Sequence, residues 1–382
     1  MQTLINENKT WIDDLWQKID NKLSMVAKRS YEKLPYSAQN GIHDDYSSPD
    51  KVSWWTNGFW GGMLWLMYKE TGKEIYKSAA EHSGELLDYA LDNYDGLHHD
   101  VGFMWHLTAG ADYRITGNKK ARNTNLFAAA TLASRYNIEG GFIRAWNDEG
   151  SEGWTIIDCL MNIPLLYWAS KELEDDRFTK IAMKHADMAL RDHIRADGSV
   201  NHIVEHDTKT GDVIKIYGGQ GYDENSCWSR GLAWAVYGSI ISYKHTGKKD
   251  YLDTAIKTAN YFISNCVQTE YLPLLDFRQP KEPLYYDSTA GLCTACGLLE
   301  ISKCVSEQEG KMYTDAAIKI IRATAEKCCN LDEDVDYIVG MGSERYPFKD
   351  ADMKGIHIPI IYGDFFMVEA LLKLRGNDFL IW

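Results

Sequence analysis

No run of Lys or Arg occurs anywhere in the 382 residues, and acidic side chains outnumber basic ones 55 to 41, giving a formal charge of -14. This argues against a nucleic-acid partner, because phosphate contacts need a positive patch. Any anionic substrate must instead meet a local cation. No apolar stretch approaches the roughly 20 residues that span a bilayer. The N-terminal MQTLINENKTWIDDLW lacks both the basic start and the apolar segment of a signal peptide. Gly218, Gly219 and Gly221 are too loosely patterned for a phosphate loop, and no GxGxxG turn follows a strand, so no cofactor is expected. The eight cysteines stand at 159, 227, 266, 293, 296, 304, 328 and 329. Cys293 and Cys296 have half the spacing of a zinc site, but no second pair follows, and LCTACGLLEIS reads as a buried helix. The expectation is a cytoplasmic protein with reduced thiols and no metal.

What the chain does have is aromatic side chains. Hydrophobic content of 45% and charge of 25% are ordinary, but 13 Trp and 23 Tyr exceed the needs of a core this size. Such rings suit stacking on sugars, and equally the filling of a large helical core. Helical periodicity dominates, and one pattern recurs: an apolar helix, a short polar break, then a second helix with an aromatic and Ala. The breaks centre on Gly72, Gly117, Asp175, Gly247, Gly310 and Gly376, at intervals of 45, 58, 72, 63 and 66 residues. Glycine there serves as the left-handed stop of the first helix. Six pairs predict an all-α, (α/α)6 barrel built as a single domain over residues 1–382, with an open α-solenoid as the alternative. Closure is favoured because first helices such as GFWGGMLWLMY are apolar on most faces, whereas second helices such as EIYKSAAEHSGELLDYAL are amphipathic.

Counting 17 residues back from each marker, about 25 Å of helix, reaches Trp55, Asp100, Asp158, Arg230, Cys293 and Pro359. Equivalent positions in a ring share one rim, so Trp55, Asp100, Asp158 and Arg230 are expected to converge. A lone Asp at a helix start is usually a cap. Asp158 fits that reading poorly, because Ile156, Ile157, Cys159 and Leu160 surround it and an ionised carboxylate there is costly without a role. Burial and a neighbouring carboxylate both raise a pKa, so the pair could keep a proton near neutral pH. Arg230 offers a planar fork for a substrate carboxylate, or pairs with a carboxylate of the rim. Gln220 adds a donor. His202 and Trp146 are loop candidates for substrate contact, with solvated or packing roles as the alternatives.

The blocks WWTNGFWGGMLWL, HHDVGFMW, TIIDCLMNIPLL, GQGYDENSCWSRGLAWAVYG, DSTAGLCTACGLLEI and YGDFFMVEALLKL resemble, in this order, the unsaturated glucuronyl hydrolases of glycoside hydrolase family 88. The resemblance implies an (α/α)6 barrel that removes a 4,5-unsaturated glucuronic acid from the non-reducing end of lyase-generated oligosaccharides, as a monomer or homodimer. It implies Asp158 as acid/base, Asp100 as its partner, and substrate contacts from Trp55, Trp146, His202, Gln220, Arg230 and Trp234. Relatives often carry His immediately before this Gln, where Gly219 stands here, and DADMKGIHIPIIYGDFF is unlike the Ser-rich segment associated with sulfated substrates. An unsaturated rhamnogalacturonyl hydrolase and a non-catalytic carbohydrate-binding protein are the competing expectations, and a helical scaffold a weaker one.

Overall fold

The apolar and amphipathic helices sort into two rings. The computed structural model describes residues 2–382. The chain runs α1 (Gln2–Glu7), α2 (Lys9–Arg29), α3 (Asn57–Thr71), α4 (Glu74–Asp92), α5 (Ala109–Thr116), α6 (Lys119–Ser134), α7 (Pro164–Leu173), α8 (Arg177–Asp192), α9 (Ser229–Thr246), α10 (Lys249–Cys266), α11 (Ser288–Ile301), α12 (Glu307–Cys328) and α13 (Ile361–Leu374). From α3 onward the odd-numbered helices form the inner ring. All of α11 and α13 is buried, so no face of these helices tolerates charge without a partner. The even-numbered helices form the outer ring. In α8, for example, only a stripe through Phe178, Ala182, His185, Ala186, Met188 and Ala189 is buried.

The inner ring closes because α13 packs on both α11 and α3. Its sixth hairpin is completed from the other end of the chain. Among the described residues no outer helix follows α13; α2 packs against α13 instead, and Arg375 pairs with Asp13.

Gly72, Gly117 and Gly247 end α3, α5 and α9 in the left-handed conformation, at φ 68°, 80° and 69°, as the spacing predicts. The third stop is Glu174, at φ 53°, rather than Asp175. Gly310 is not a stop, since it lies inside α12, which starts at a capping box of Ser306 and Glu309. Cys293 therefore falls within α11 instead of at its rim, and Pro359 falls before α13.

Three small antiparallel sheets accompany the helices: β1 (Ala38–Gln39) with β2 (Ile42–His43), β3 (Tyr136–Asn137) with β4 (Phe142–Ile143), and β5 (Trp154–Ile156), β6 (Ile203–His206) and β7 (Val213–Tyr217) in that order. The third sheet sits on the rim that carries the site.

At the opposite end the barrel is filled from the C-terminus. Trp382 is buried and stacks on Phe366 at 6.2 Å, and its indole N–H donates to Glu369 at 3.1 Å. Arg114 holds the C-terminal segment in place through the carbonyl of Leu380 at 3.1 Å and that of Ile381. Trp382→Ala is expected to lower the unfolding free energy by about 3–5 kcal/mol, the range for deleting a buried Trp, when measured by denaturant titration.

Candidate active site

All three strands of the third sheet point at one spot. β5 leads through Ile156 and Ile157 into Asp158. Ile156 pairs with Ile203 of β6, and the Ile157 N–H donates to the carbonyl of His202 at 3.2 Å. Ile203 also pairs with Tyr217, from which β7 runs into residues 218–220. Register thus makes neighbours of Asp158, His202 and Gln220.

Neither aspartate begins a regular α-helix. Asp158 lies in a 3-10 turn, Ile157–Met161, and Asp100 just precedes a π-turn, Gly102–His106. Irregular turns of this kind are frequent at functional sites because they re-aim side chains. The two segments touch closely. A Cβ at Gly102 would lie 2.5 Å from the carbonyl oxygen of Asn162, so this position admits no side chain. Asn162 then ties them together, its amide donating to Asp100 Oδ1 at 2.8 Å and its oxygen accepting the Phe103 N–H at 2.7 Å.

Asp100 and Asp158 line a cavity of about 470 Å3, a size suited to a small ligand. Of the other residues singled out in the sequence, Trp55, Trp146, Gln220 and Arg230 also line it. His202 and Trp234 do not. Both are buried and neither is part of the cavity wall. The His202 Nδ1 accepts the Gln220 N–H at 2.9 Å, which leaves the ring proton on Nε2, 3.7 Å from Asp158 Oδ1. Burial pushes His202 down to about 3, so it stays neutral. Gly219 now has a physical reason. At φ 61°, any Cβ there would lie 2.0 Å from His202 Nδ1, so the imidazole occupies the space that a side chain at 219 would need.

Burial raises the pKa of Asp158 to about 7, opposed by Arg230, by its own backbone and by the Trp234 indole. Asp100 is raised well above the usual carboxylate range, first by burial and then by Asp158. His98 Nδ1 and His99 Nε2 each lie 3.4 Å from Asp100 Oδ2. Burial keeps both rings neutral. Among the described residues, His98, His99 and Asp100 form the one group of three candidate metal donors. The His98 Nδ1 lone pair already faces the Asp100 N–H at 3.3 Å.

Arg230 takes the second of its two sequence readings. Its guanidinium pairs with buried Asp287 at 2.5 Å and donates to the carbonyls of Ser343 and Glu344, while stacking on Trp228 at 4.5 Å. Most of its donors are committed to protein, which fixes the 343–344 loop against the rim. The partner carboxylate is Asp287, not Asp158. Asp287 caps α11 through the Thr289 N–H. It sits six positions before Cys293, and the misplaced Gly310 marker hid it.

Sequence reasoning also missed Tyr36, Trp54, Glu344, Arg345 and Tyr362 on the cavity wall. They lie in loops or helix starts outside the sixfold count. Arg345 is a cation at the mouth with more than half its side chain exposed, tied only to Asp352 at 3.0 Å. A separate cavity of about 310 Å3 on the outer wall is lined by Glu81, Glu85, Asp88 and Asp112 against Lys120; these carboxylates would repel an anionic ligand.

The raised pKa of Asp158 has a sign in stability. Its folded value lies above the unfolded one, so its neutral form is favoured at low pH, and ionisation costs the fold progressively between about pH 4 and 7. Asp158→Asn is expected to match the parent near pH 4 and to exceed it above about pH 7 by up to about 4 kcal/mol. Thermal unfolding across that range checks this.

The Glycosyl Hydrolase Family 88 profile matches residues 25–240. The chain is 33% identical over 376 residues to the unsaturated glucuronyl hydrolase of Bacillus sp. strain GL1, covering 94% of this chain and 97% of that one. It is 33% identical over 390 residues to the unsaturated chondroitin disaccharide hydrolase of Streptococcus pneumoniae, covering 97% and 94%. Its fold superposes on the crystal structure of the unsaturated glucuronyl hydrolase responsible for the degradation of glycosaminoglycan from Bacillus sp. GL1, with a TM-score of 0.86 at 33% identity over 95% of this chain and 97% of that one. Sequence and fold agree along nearly the full length, and the chain belongs to glycosyl hydrolase family 88.

Proposed function

We propose that this enzyme removes a 4,5-unsaturated glucuronic acid from the non-reducing end of lyase-generated, glycosaminoglycan-type oligosaccharides, with Asp158 as its acid and base. The observation that carries the reading is a carboxyl group on the wall of the cavity whose pKa is raised by burial to about 7, beside a second carboxyl that burial also raises well above its ordinary value. Such a group is protonated often enough near neutral pH to deliver a proton, and is basic enough once ionised to take one back.

The chemistry is hydration of an enol ether. Protonated Asp158 delivers its proton to C4, and positive charge develops at C5 beside the ring oxygen. Water adds at C5 as the Asp158 carboxylate removes its proton. The resulting hemiketal opens by breaking the bond from C5 to the ring oxygen, leaving a ketone at C5 and a hydroxyl on C1. That hydroxyl collapses to an aldehyde as the aglycone leaves with a proton. Carboxyl-separation rules for displacement at the anomeric carbon do not govern this route. Asp100, whose carboxyl is raised by burial and by Asp158, binds a substrate hydroxyl. Trp55 and Trp146 offer ring faces to the sugar. Arg345 is the cation placed to meet the uronate or a neighbouring acid group, while Arg230 orders the wall. Eight thiols, none paired with another, fit a cytoplasmic setting.

Turnover is read as loss of the ultraviolet absorbance of the conjugated uronate on unsaturated hyaluronan, chondroitin and pectin disaccharides. Activity on the first two is expected; activity on the pectin disaccharide alone would favour a rhamnogalacturonyl hydrolase. Asp158→Asn is expected to remain folded and to lose about 100-fold or more in kcat, and near-parental turnover would rule out its role. Since the protonated form starts the reaction, kcat/KM of the parent is expected to fall as pH rises through about 7.

A further inference from the structure

The sheet that places Asp158 does not stop at the cavity. Paired residues in antiparallel strands share a face, as do residues two apart on one strand. The register therefore puts Ile156, Ile203 and Tyr217 in one row and Trp154, Glu205 and Lys215 in the next, all on the same face. Ile156 lines the cavity. Two strand spacings away, about 10 Å, Tyr217 is partly exposed, and Lys215 on the edge strand is exposed. The face thus runs from the cavity wall to open solvent.

Three rings follow that path. Trp146, on the cavity wall, has its centroid 6.0 Å from that of Trp154, and Trp154 lies 4.8 Å from Tyr217. The Tyr217 hydroxyl donates to Glu205 at 2.6 Å, which fixes the ring, and the Lys215 ammonium sits 4.5 Å over its centroid. Among the described residues no carboxylate lies within ion-pair distance of Lys215. A partly exposed ring series ending in an unpaired cation, in an otherwise acidic protein, is an unusual use of surface. Packing alone does not account for it, since the buried part of this small cluster is only Ala145, Ile156 and Ile203.

We infer that the Trp154–Tyr217–Lys215 face is a distal binding platform, on which sugar residues beyond the cleaved linkage stack and an acid group of the chain meets Lys215. The inference rests on the reading above and adds a preference for substrates longer than a disaccharide. The rings pack on one another and Lys215 covers Tyr217, so the sugars meet the outer, solvent-facing surface of the series as a whole. Binding there adds contacts that a disaccharide cannot make, and it lowers KM for the longer substrate without touching the acid/base group.

The test compares Tyr217→Ala and Lys215→Glu with the parent on unsaturated di- and hexasaccharides of one chondroitin series. Each variant is expected to keep disaccharide kcat/KM within about twofold, while hexasaccharide KM rises about three- to tenfold for Tyr217→Ala and up to about fivefold for Lys215→Glu at low salt. The Lys215→Glu effect should shrink as salt is added. An unchanged ratio of hexa- to disaccharide kcat/KM in both variants would overturn the platform. Lys215 is exposed, so its variant reports even where Tyr217→Ala folds poorly. Hexasaccharide binding, followed by Trp fluorescence, reads the platform independently of cleavage: a parent that binds the hexasaccharide more weakly after Lys215→Glu but cleaves neither substrate would retain the platform and sink the proposed reaction.

Discussion

Two carboxyl groups buried side by side set the terms for the rest of this site. Raising a carboxyl from its ordinary value to about 7 corresponds to roughly 4 kcal/mol of disfavoured charge, and both groups ionised together would cost more. The surroundings act so that a proton stays in the pair. Asn162 satisfies Asp100 with a neutral amide. His98, His99 and His202 are desolvated and neutral, so none adds the positive charge that would strip the proton away. Arg230 is the exception, and it is why Asp287 matters. With its guanidinium paired to a buried carboxylate, Arg230 opposes the burial effect on Asp158 without overcoming it.

The barrel supplies the dry surroundings this needs. Inner helices buried on every face exclude water from one end, where Trp382, Phe366 and Phe365 pack together. The open end is shaped by departures from helical regularity. A π-turn before α5, a 3-10 turn before α7 and the strands β5 to β7 bring Asp100, Asp158, His202 and Gln220 together from segments distant in sequence. Gly102 and Gly219 mark where backbone or ring approaches too closely for any side chain.

The helical frame was legible because apolar period and glycine stops are local signals. The count of 17 residues reached the cavity wall at Trp55, Asp100, Asp158 and Arg230, where the marker lies within two residues of the end of an inner helix. It failed at Cys293 because Gly310 is a buried helix residue, and local sequence does not separate such a glycine from a stop. Closure by α2 was invisible for a related reason, since nothing local pairs the first helix with the last. The strands β5 to β7 were missed because each is short, and β7 carries exposed Val213 and Ile214 in a stretch that reads as a polar loop. His202 and Trp234 were expected as substrate contacts, but both are buried and off the cavity wall, and burial of this kind is a property of packing. Arg345 and Glu344 sit on a loop with no periodic signal at all.

The central claim is that Asp158 holds a proton near neutral pH. Carbon-13 NMR of the aspartate side-chain carboxyls, with the Asp158 resonance identified by its loss in Asp158→Asn, measures this directly. A titration midpoint near 7 is the expected result. A midpoint near 4, the ordinary carboxylate range, would show an ionised Asp158 at neutral pH and contradict the account.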